Sequence, residues 1–163
     1  MILIDANIFM YAAGRPSPQR LPCQRFLDRV VGGGGPAACT DSEVLQEVLH
    51  RYRSLKLPEV AFQVFDAVTH LGIPILPVTD RAMAYARRFL ADYPALSTRD
   101  GVHLGVMREH GIEELLSYDD GFSEVPWVKR LEAERFFGFE PLPRRGEAVS
   151  NELIDRLRDE EPE

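Results

Sequence analysis

The sequence predicts a single α/β domain, a three-layer α/β/α sandwich around a mostly parallel central sheet. Short apolar runs alternate with stretches of helical spacing along the chain. Glycines and prolines punctuate the junctions, as at Gly14, Gly72 and Gly111. The 163 residues, 45% hydrophobic and 28% charged, are enough for one domain with a substantial core.

Taken in order, Ile2 to Ile4 reads as a strand that stops on Asp5. Ala6 to Ala13 reads as a helix ended by Gly14 and Pro16, and Leu21 to Val31 as a second. The run Gly32 to Pro36 is a linker. No Lys-Ser/Thr follows it, and Pro36 interrupts its amides, so it is not a phosphate loop. Ala37 to Cys39 is a short strand. Thr40 to Ser54 is a helix with apolar Val44, Leu45, Val48, Leu49 and Tyr52, and Pro58 to Leu71 is another. Ile73 to Val78 reads as a strand despite its prolines. Asp80 to Tyr93 and Thr98 to His110 are helical, the latter stopped by Gly111. Short strands follow at Leu115–Leu116 and around Val128.

The boundary predicted for this domain is residue 140. Residues 141–163 form an acidic extension, opening on the linker-like PLPRRG and containing a short amphipathic helix over Ser150 to Arg158. The net charge of -7 argues against a polyanion partner until its distribution is read. From Glu147 on, seven acids face two arginines. The rest carries 17 Lys/Arg against 19 Asp/Glu, so cations bound to a few acids remove most repulsion of a nucleic acid. No apolar run approaches the roughly 20 residues that span a membrane. Met1 begins the first strand directly, which predicts an intracellular, cytoplasmic protein. Cys23 and Cys39 fit no metal-ligand spacing and read as buried, reduced thiols, so any metal would be held by oxygen.

The chemistry lies in carboxylates at the ends of elements. Ligands of open parallel sheets bind beyond the carboxyl ends of strands. Asp5 closes the first strand and Asp119 follows the strand near residue 116. Asp100 opens a helix, where Ser97 capping alone would also explain it. Of the two acids in TDSEVLQEVLHRY, Glu43 is explained by a capping box with Thr40 and reads as solvated. Glu47 has no capping role and is the preferred functional acid. Two charges 5 Å apart at an effective dielectric of about 20 repel by about 3 kcal/mol. Oxygen ligands alone suit Mg²⁺ or Mn²⁺, which bind phosphate oxygens and activate water. His103, three residues past Asp100, reads as a partly buried, hydrogen-bonded histidine rather than a ligand.

Four motifs in this order, ILIDANIF, SEVLQEVLHRY, STRDGVHLGV and SYDDGF, resemble those of the PIN-domain ribonucleases, in particular the toxins of bacterial VapBC-type toxin–antitoxin pairs. The resemblance spans roughly residues 1–140. It implies the α/β/α sandwich and metal-dependent endonucleolytic cleavage of RNA phosphodiesters. Asp5, Glu47, Asp100 and Asp119 would then hold Mg²⁺ or Mn²⁺. Asp120 is an alternative to Asp119, but the motif spacing favours Asp119. Asn7 would support the site's carboxylates or a metal-bound water, and Ser117 would orient Asp119. The same likeness implies tRNA or rRNA as substrate, a cognate antitoxin and a homodimer. Arg51, Arg53 and Arg99 are the foremost candidates for RNA contact, with salt-sensitive binding. Trp127, Phe136, Phe137 and Phe139 read as packing residues, with a dimer interface as the alternative for the FFGF cluster.

Two other readings compete. An aspartate-based phosphatase would need a general acid two residues after Asp5, where Asn7 stands, and a well-placed lysine. Lys56 and Lys129 are poorly placed for that. A catalytically inactive interaction module would have no need of the full acid set.

Overall fold

The structure is a computed structural model that describes residues 1–137. Five strands are present: β1 (Ile2–Ile4), β2 (Ala38–Asp41), β3 (Ile75–Leu76), β4 (Glu114–Leu116) and β5 (Lys129–Leu131). Six helices connect or flank them: α1 (Ala6–Ala13), α2 (Arg20–Val31), α3 (Ser42–Ser54), α4 (Pro58–Thr69), α5 (Asp80–Asp92) and α6 (Thr98–His110). Single 3-10 turns cover Asp120–Glu124 and Ala133–Phe137.

The sheet order is β3-β2-β1-β4-β5, and every neighbouring pair is parallel. The chain therefore builds outward from β1 to one edge, then returns to add β4 on the other side. That reversal between β1 and β4 is the topological switch point, where such sheets open a crevice beyond their carboxyl ends. Asp5 and Ser117 stand side by side there, because Ile4 pairs with Leu116.

The period-two alternation of β1 divides the molecule into its layers. Ile2 and Ile4 join a core with Phe9, Phe26, Val44, Val48 and Val64, from α1 to α4. Leu3 points the other way, into a core with Leu104, Met107, Leu115 and Phe122. Both cysteines are free and buried. Phe136 packs on Phe26 at 4.9 Å and Trp127 on Phe89 at 5.4 Å, so these aromatics serve the core. Phe139 and the whole 141–163 extension lie outside the described residues. No helix among those described is long and apolar enough to cross a membrane.

Two sequence boundaries shift for identifiable reasons. Thr40 does not cap α3. Its hydroxyl donates to the Ile4 carbonyl at 2.9 Å, holding it within β2. Asp41 takes the cap instead, its Oδ1 accepting the Val44 N–H at 3.0 Å, so the Thr40–Glu43 capping box does not form. In the proline-bracketed third strand only Ile75 and Leu76 pair with β2, since Pro74 and Pro77 have no N–H to give; β3 accordingly sits at the sheet edge.

Helix α6 is the buried spine of the second core, with Gly101 to Met107 all buried. It can approach α5 closely because Gly105 has no side chain. A Cβ there would stand 2.2 Å from the Ala82 carbonyl oxygen, a backbone atom that cannot rotate away. Gly105→Ala is expected to destabilise the fold by about 1–3 kcal/mol. A thermal melt should show Tm several degrees lower, at about 2–4 °C per kcal/mol for a chain of this size; an unchanged Tm would contradict this packing.

Candidate metal centre

Strand β1 delivers Asp5 to the switch point as the residue before α1. Its side chain makes no helix-capping hydrogen bond, which leaves it for other partners. Oδ2 accepts from Ser117 Oγ at 2.5 Å and from Asn7 Nδ2 at 2.6 Å. Asn7 Nδ2 also reaches Ser117 Oγ at 2.9 Å, and Asn7 Oδ1 accepts the Tyr118 N–H at 3.3 Å. Asn7 and Ser117 thus pin the end of β1 to the segment after β4 and fix the Asp5 carboxylate. They occupy Oδ2, while Oδ1 stands 3.9 Å from His103 Nε2. Asp5 is only 5% exposed. Burial pushes its pKa up, against the opposing pull of His103 and the Ser117 hydrogen bond.

Asp5, Asn7, Glu47, Asp100 and Asp119 line a single cavity of about 490 Å³, together with Ser97, Thr98 and Arg99. Glu47 is carried there by α3. Asp100 arrives on the first turn of α6 within a complete capping box: Ser97 Oγ accepts the Asp100 N–H, and Asp100 Oδ2 accepts the Ser97 N–H at 2.9 Å. Capping and cavity lining coexist in this residue. The Asp119 N–H is held by Ser117 Oγ at 2.9 Å, and its Oδ1 accepts the Gly121 N–H at 2.8 Å. Ser117 therefore orients Asp119 through its backbone, while its own proton goes to Asp5. Asp120 turns away: its carboxylate is 78% exposed and paired with Arg130 at 3.0 Å.

The tightest cluster contains His103, which the sequence reading weighed as a ligand and set aside. Asp5, Glu47 and His103 each offer a ligand atom within 4.8 Å of the other two. His103 is 1% exposed. Its Nδ1 lies 2.8 Å from Oδ2 of Asp41, which is wholly buried. Its Nε2 has no hydrogen-bond partner among the described residues and stands 3.9 Å from both Asp5 Oδ1 and Glu47 Oε2. Burial alone would push the ring's pKa down, but Asp41, followed by Glu47 and Asp5, outweighs it and holds the value well above 6.5. The His103 ring in turn holds the Glu47 carboxyl below its usual range, against burial, with Arg99 adding to the effect. A signal for Asp41 existed in the sequence: it ends β2 as Asp5 ends β1.

Arg99 is the one predicted arginine on this cavity. It lies 3.7 Å from Glu47 and 3.8 Å from Glu43, and its Nη2 meets His50 Nδ1 at 3.0 Å. Glu43, expected to be solvated, is half-buried beside it, and burial raises its pKa. Arg51 lines a second cavity of about 980 Å³ with Tyr11, Arg15, Leu55 and Leu57; Asn7 borders both cavities. Arg53 lines neither. It is exposed in the last turn of α3, where a cation also complements the helix dipole.

These residues fit a divalent cation. Four carboxylates converge on one cavity, and a buried ring nitrogen without a partner is aimed at two of them. Such a set needs either protons or a cation to offset its mutual repulsion.

The family model for the PIN domain matches residues 2–128. The chain is 42% identical over 131 residues to the VapC ribonuclease Mb1869c of Mycobacterium bovis, covering 80% of this chain and 99% of that protein. Among solved structures it is similar to Mycobacterium tuberculosis VapC20, described as a sarcin-ricin loop cleaving toxin, with a TM-score of 0.66 and 18% identity over 78% of this chain and 97% of that one. A toxin–antitoxin complex from Klebsiella pneumoniae aligns with a TM-score of 0.57 and 17% identity, covering 79% of this chain and 96% of that one.

Proposed function

The chain belongs to the PIN domain family, and from that premise we propose that it is a divalent-metal-dependent endoribonuclease, the toxin of a toxin–antitoxin pair. The observation that carries this reading is the convergence of Asp5, Glu47, Asp100 and Asp119 on one cavity at the switch point. The ribonuclease name of a relative matched over nearly its whole length supports it.

In this reading Asp5, Glu47, Asp100 and Asp119 hold Mg²⁺ or Mn²⁺. When bound, the ion activates a water and offsets charge on the scissile phosphate. The chain's own residues do the rest. Asn7 and Ser117 keep Asp5 in one rotamer, so its Oδ1 is presented without a conformational search. The Ser97 capping bond does the same for Asp100. Arg99 stands at the rim, paired with acids, and would turn to a phosphate when the cation takes over their charge. Arg51 and Arg53, in the last turn of α3, add two further exposed cations for phosphate contact.

The substrate is a structured RNA, tRNA or rRNA, and a protein antitoxin restrains the enzyme in the cytoplasm; the complex among its fold neighbours supports such a partner. Residues 1–140 form the nuclease domain, which acts as a homodimer, and residues 141–163 are a separate acidic extension. The phosphatase alternative loses ground on geometry. Asn7 donates to Asp5 Oδ2 rather than standing free as a proton donor to a leaving group.

The test is cleavage of tRNA and rRNA fragments by the purified full chain, with Mg²⁺, with Mn²⁺ and with EDTA. Discrete cuts that EDTA suppresses are expected. Folded, antitoxin-free protein that leaves these RNAs intact under all conditions would count against the reading.

A further inference from the structure

We propose that His103 Nε2 is itself a ligand of the divalent cation, making the centre a mixed nitrogen–oxygen site that favours Mn²⁺ and later first-row ions over Mg²⁺. The inference rests on the metal-centre reading above and goes beyond its four carboxylates. Its basis is the arrangement of one ring. Nδ1 faces a fully buried carboxylate, Asp41, at 2.8 Å. That contact keeps a proton on Nδ1, so a cation seated between Asp5 and Glu47 would displace only the Nε2 proton and take the lone pair it leaves. Nε2 has no hydrogen-bond partner among the described protein atoms, although it is buried and points at Asp5 Oδ1 and Glu47 Oε2.

A buried nitrogen without a hydrogen bond is uncommon and calls for an explanation. A carboxylate on one ring nitrogen and a metal on the other is the usual setting of a ligating histidine. The spacing agrees. An ion with bonds of about 2.1 Å holds two donors up to about 4.2 Å apart, and Nε2 is 3.9 Å from each carboxylate oxygen. Sequence position explains why one ring can do this. His103 is one helical turn beyond Asp100 on α6, and Asp41 ends β2 next to Asp5 at the end of β1. A strictly oxygen-lined site suits Mg²⁺; adding an imidazole shifts preference along the first-row series.

The first test needs no substitution. Full-length protein loaded with Mn²⁺ is studied by pulsed EPR, once with natural nitrogen and once with ¹⁵N-histidine. A ¹⁴N modulation that converts to the ¹⁵N pattern on labelling is the expected result. His50→Gln, at the exposed histidine near Arg99, should retain it. Mn²⁺ bound with no histidine coupling would overturn the proposal and leave the carboxylate centre standing. Failure to bind Mn²⁺ or Mg²⁺ at all would overturn the metal centre itself. A second measurement uses Asp41→Asn, which keeps a capping side chain on α3. Calorimetric titration should show Mn²⁺ affinity weakened about 10–100-fold, with Mg²⁺ affinity changed much less. Equal losses for both ions would contradict a nitrogen ligand.

Discussion

Asp5→Asn is expected to lower kcat/KM for RNA cleavage by about 10³-fold or more, equivalent to ~4 kcal/mol of transition-state stabilisation. The fold should survive. Asn7 and Ser117 both donate to Oδ2 of Asp5, and an amide oxygen at that position can accept the same two hydrogen bonds. Burial already disfavours the Asp5 charge, so a neutral isostere removes a strain from the metal-free protein. The variant should therefore melt at or above the wild-type temperature while its divalent-cation affinity falls. Gel-based cleavage assays and a thermal melt check the two halves independently. Activity within tenfold of wild type would remove Asp5 from the reacting centre.

Asp41→Ala should produce the largest stability loss of any single change near the site, about 3–5 kcal/mol for breaking a buried pair by removing one partner. It strips the cap from α3 and leaves His103 Nδ1 facing an apolar methyl group. The pH dependence should change too. His103 has a folded-state pKa raised well above 6.5, so its contribution is present in full below 6.5 and is lost as pH rises through the raised value. Metal-free wild-type protein should thus lose stability as pH climbs above 6.5. In Asp41→Ala that decline should flatten, because the main group sustaining the charged ring is gone. Urea unfolding across this range in the presence of EDTA measures both effects. A variant with wild-type stability and the same slope would mean that the Asp41–His103 contact contributes little.

The layered fold was legible because its signals are local. Helices α1 and α6 match the sequence reading at both ends, since Gly14, Ser97 and Gly111 are stop and start residues whose physics acts within one turn. The start of α3 differs from the sequence reading because ACTDSE offers three capping residues in a row. Long-range contacts, the Thr40 bond to the Ile4 carbonyl and the pairing of Thr40 and Asp41 with β3, carry the strand past Cys39. Asp5, Asp100 and Asp119 were visible for a similar reason, since each sits at an element boundary, whereas Glu47, inside α3, stood out by having no capping role. His103 was not visible in this way, because a histidine inside a buried helix has the same local pattern whether it fills space or faces a cavity. What distinguishes it is Asp41, 62 residues earlier, and that neighbour depends on strand order.

The late arrival of β4 beside β1 has a temporal consequence. The carboxylate that opens the chain meets its Ser117 clamp across 112 residues of sequence. A ribosome adding about 5–20 residues per second leaves Asp5 without that clamp for roughly 6 to 22 seconds after its own synthesis. Through that interval the growing polypeptide has neither Asp119 nor the strand that would bring it to Asp5. A message cut short, or translation that stalls before β4, yields a fragment in which Asp5 lacks its Ser117 partner. The contact that fixes Asp5, and the cavity it lines with Asp119, therefore come into being only after β4 has been made.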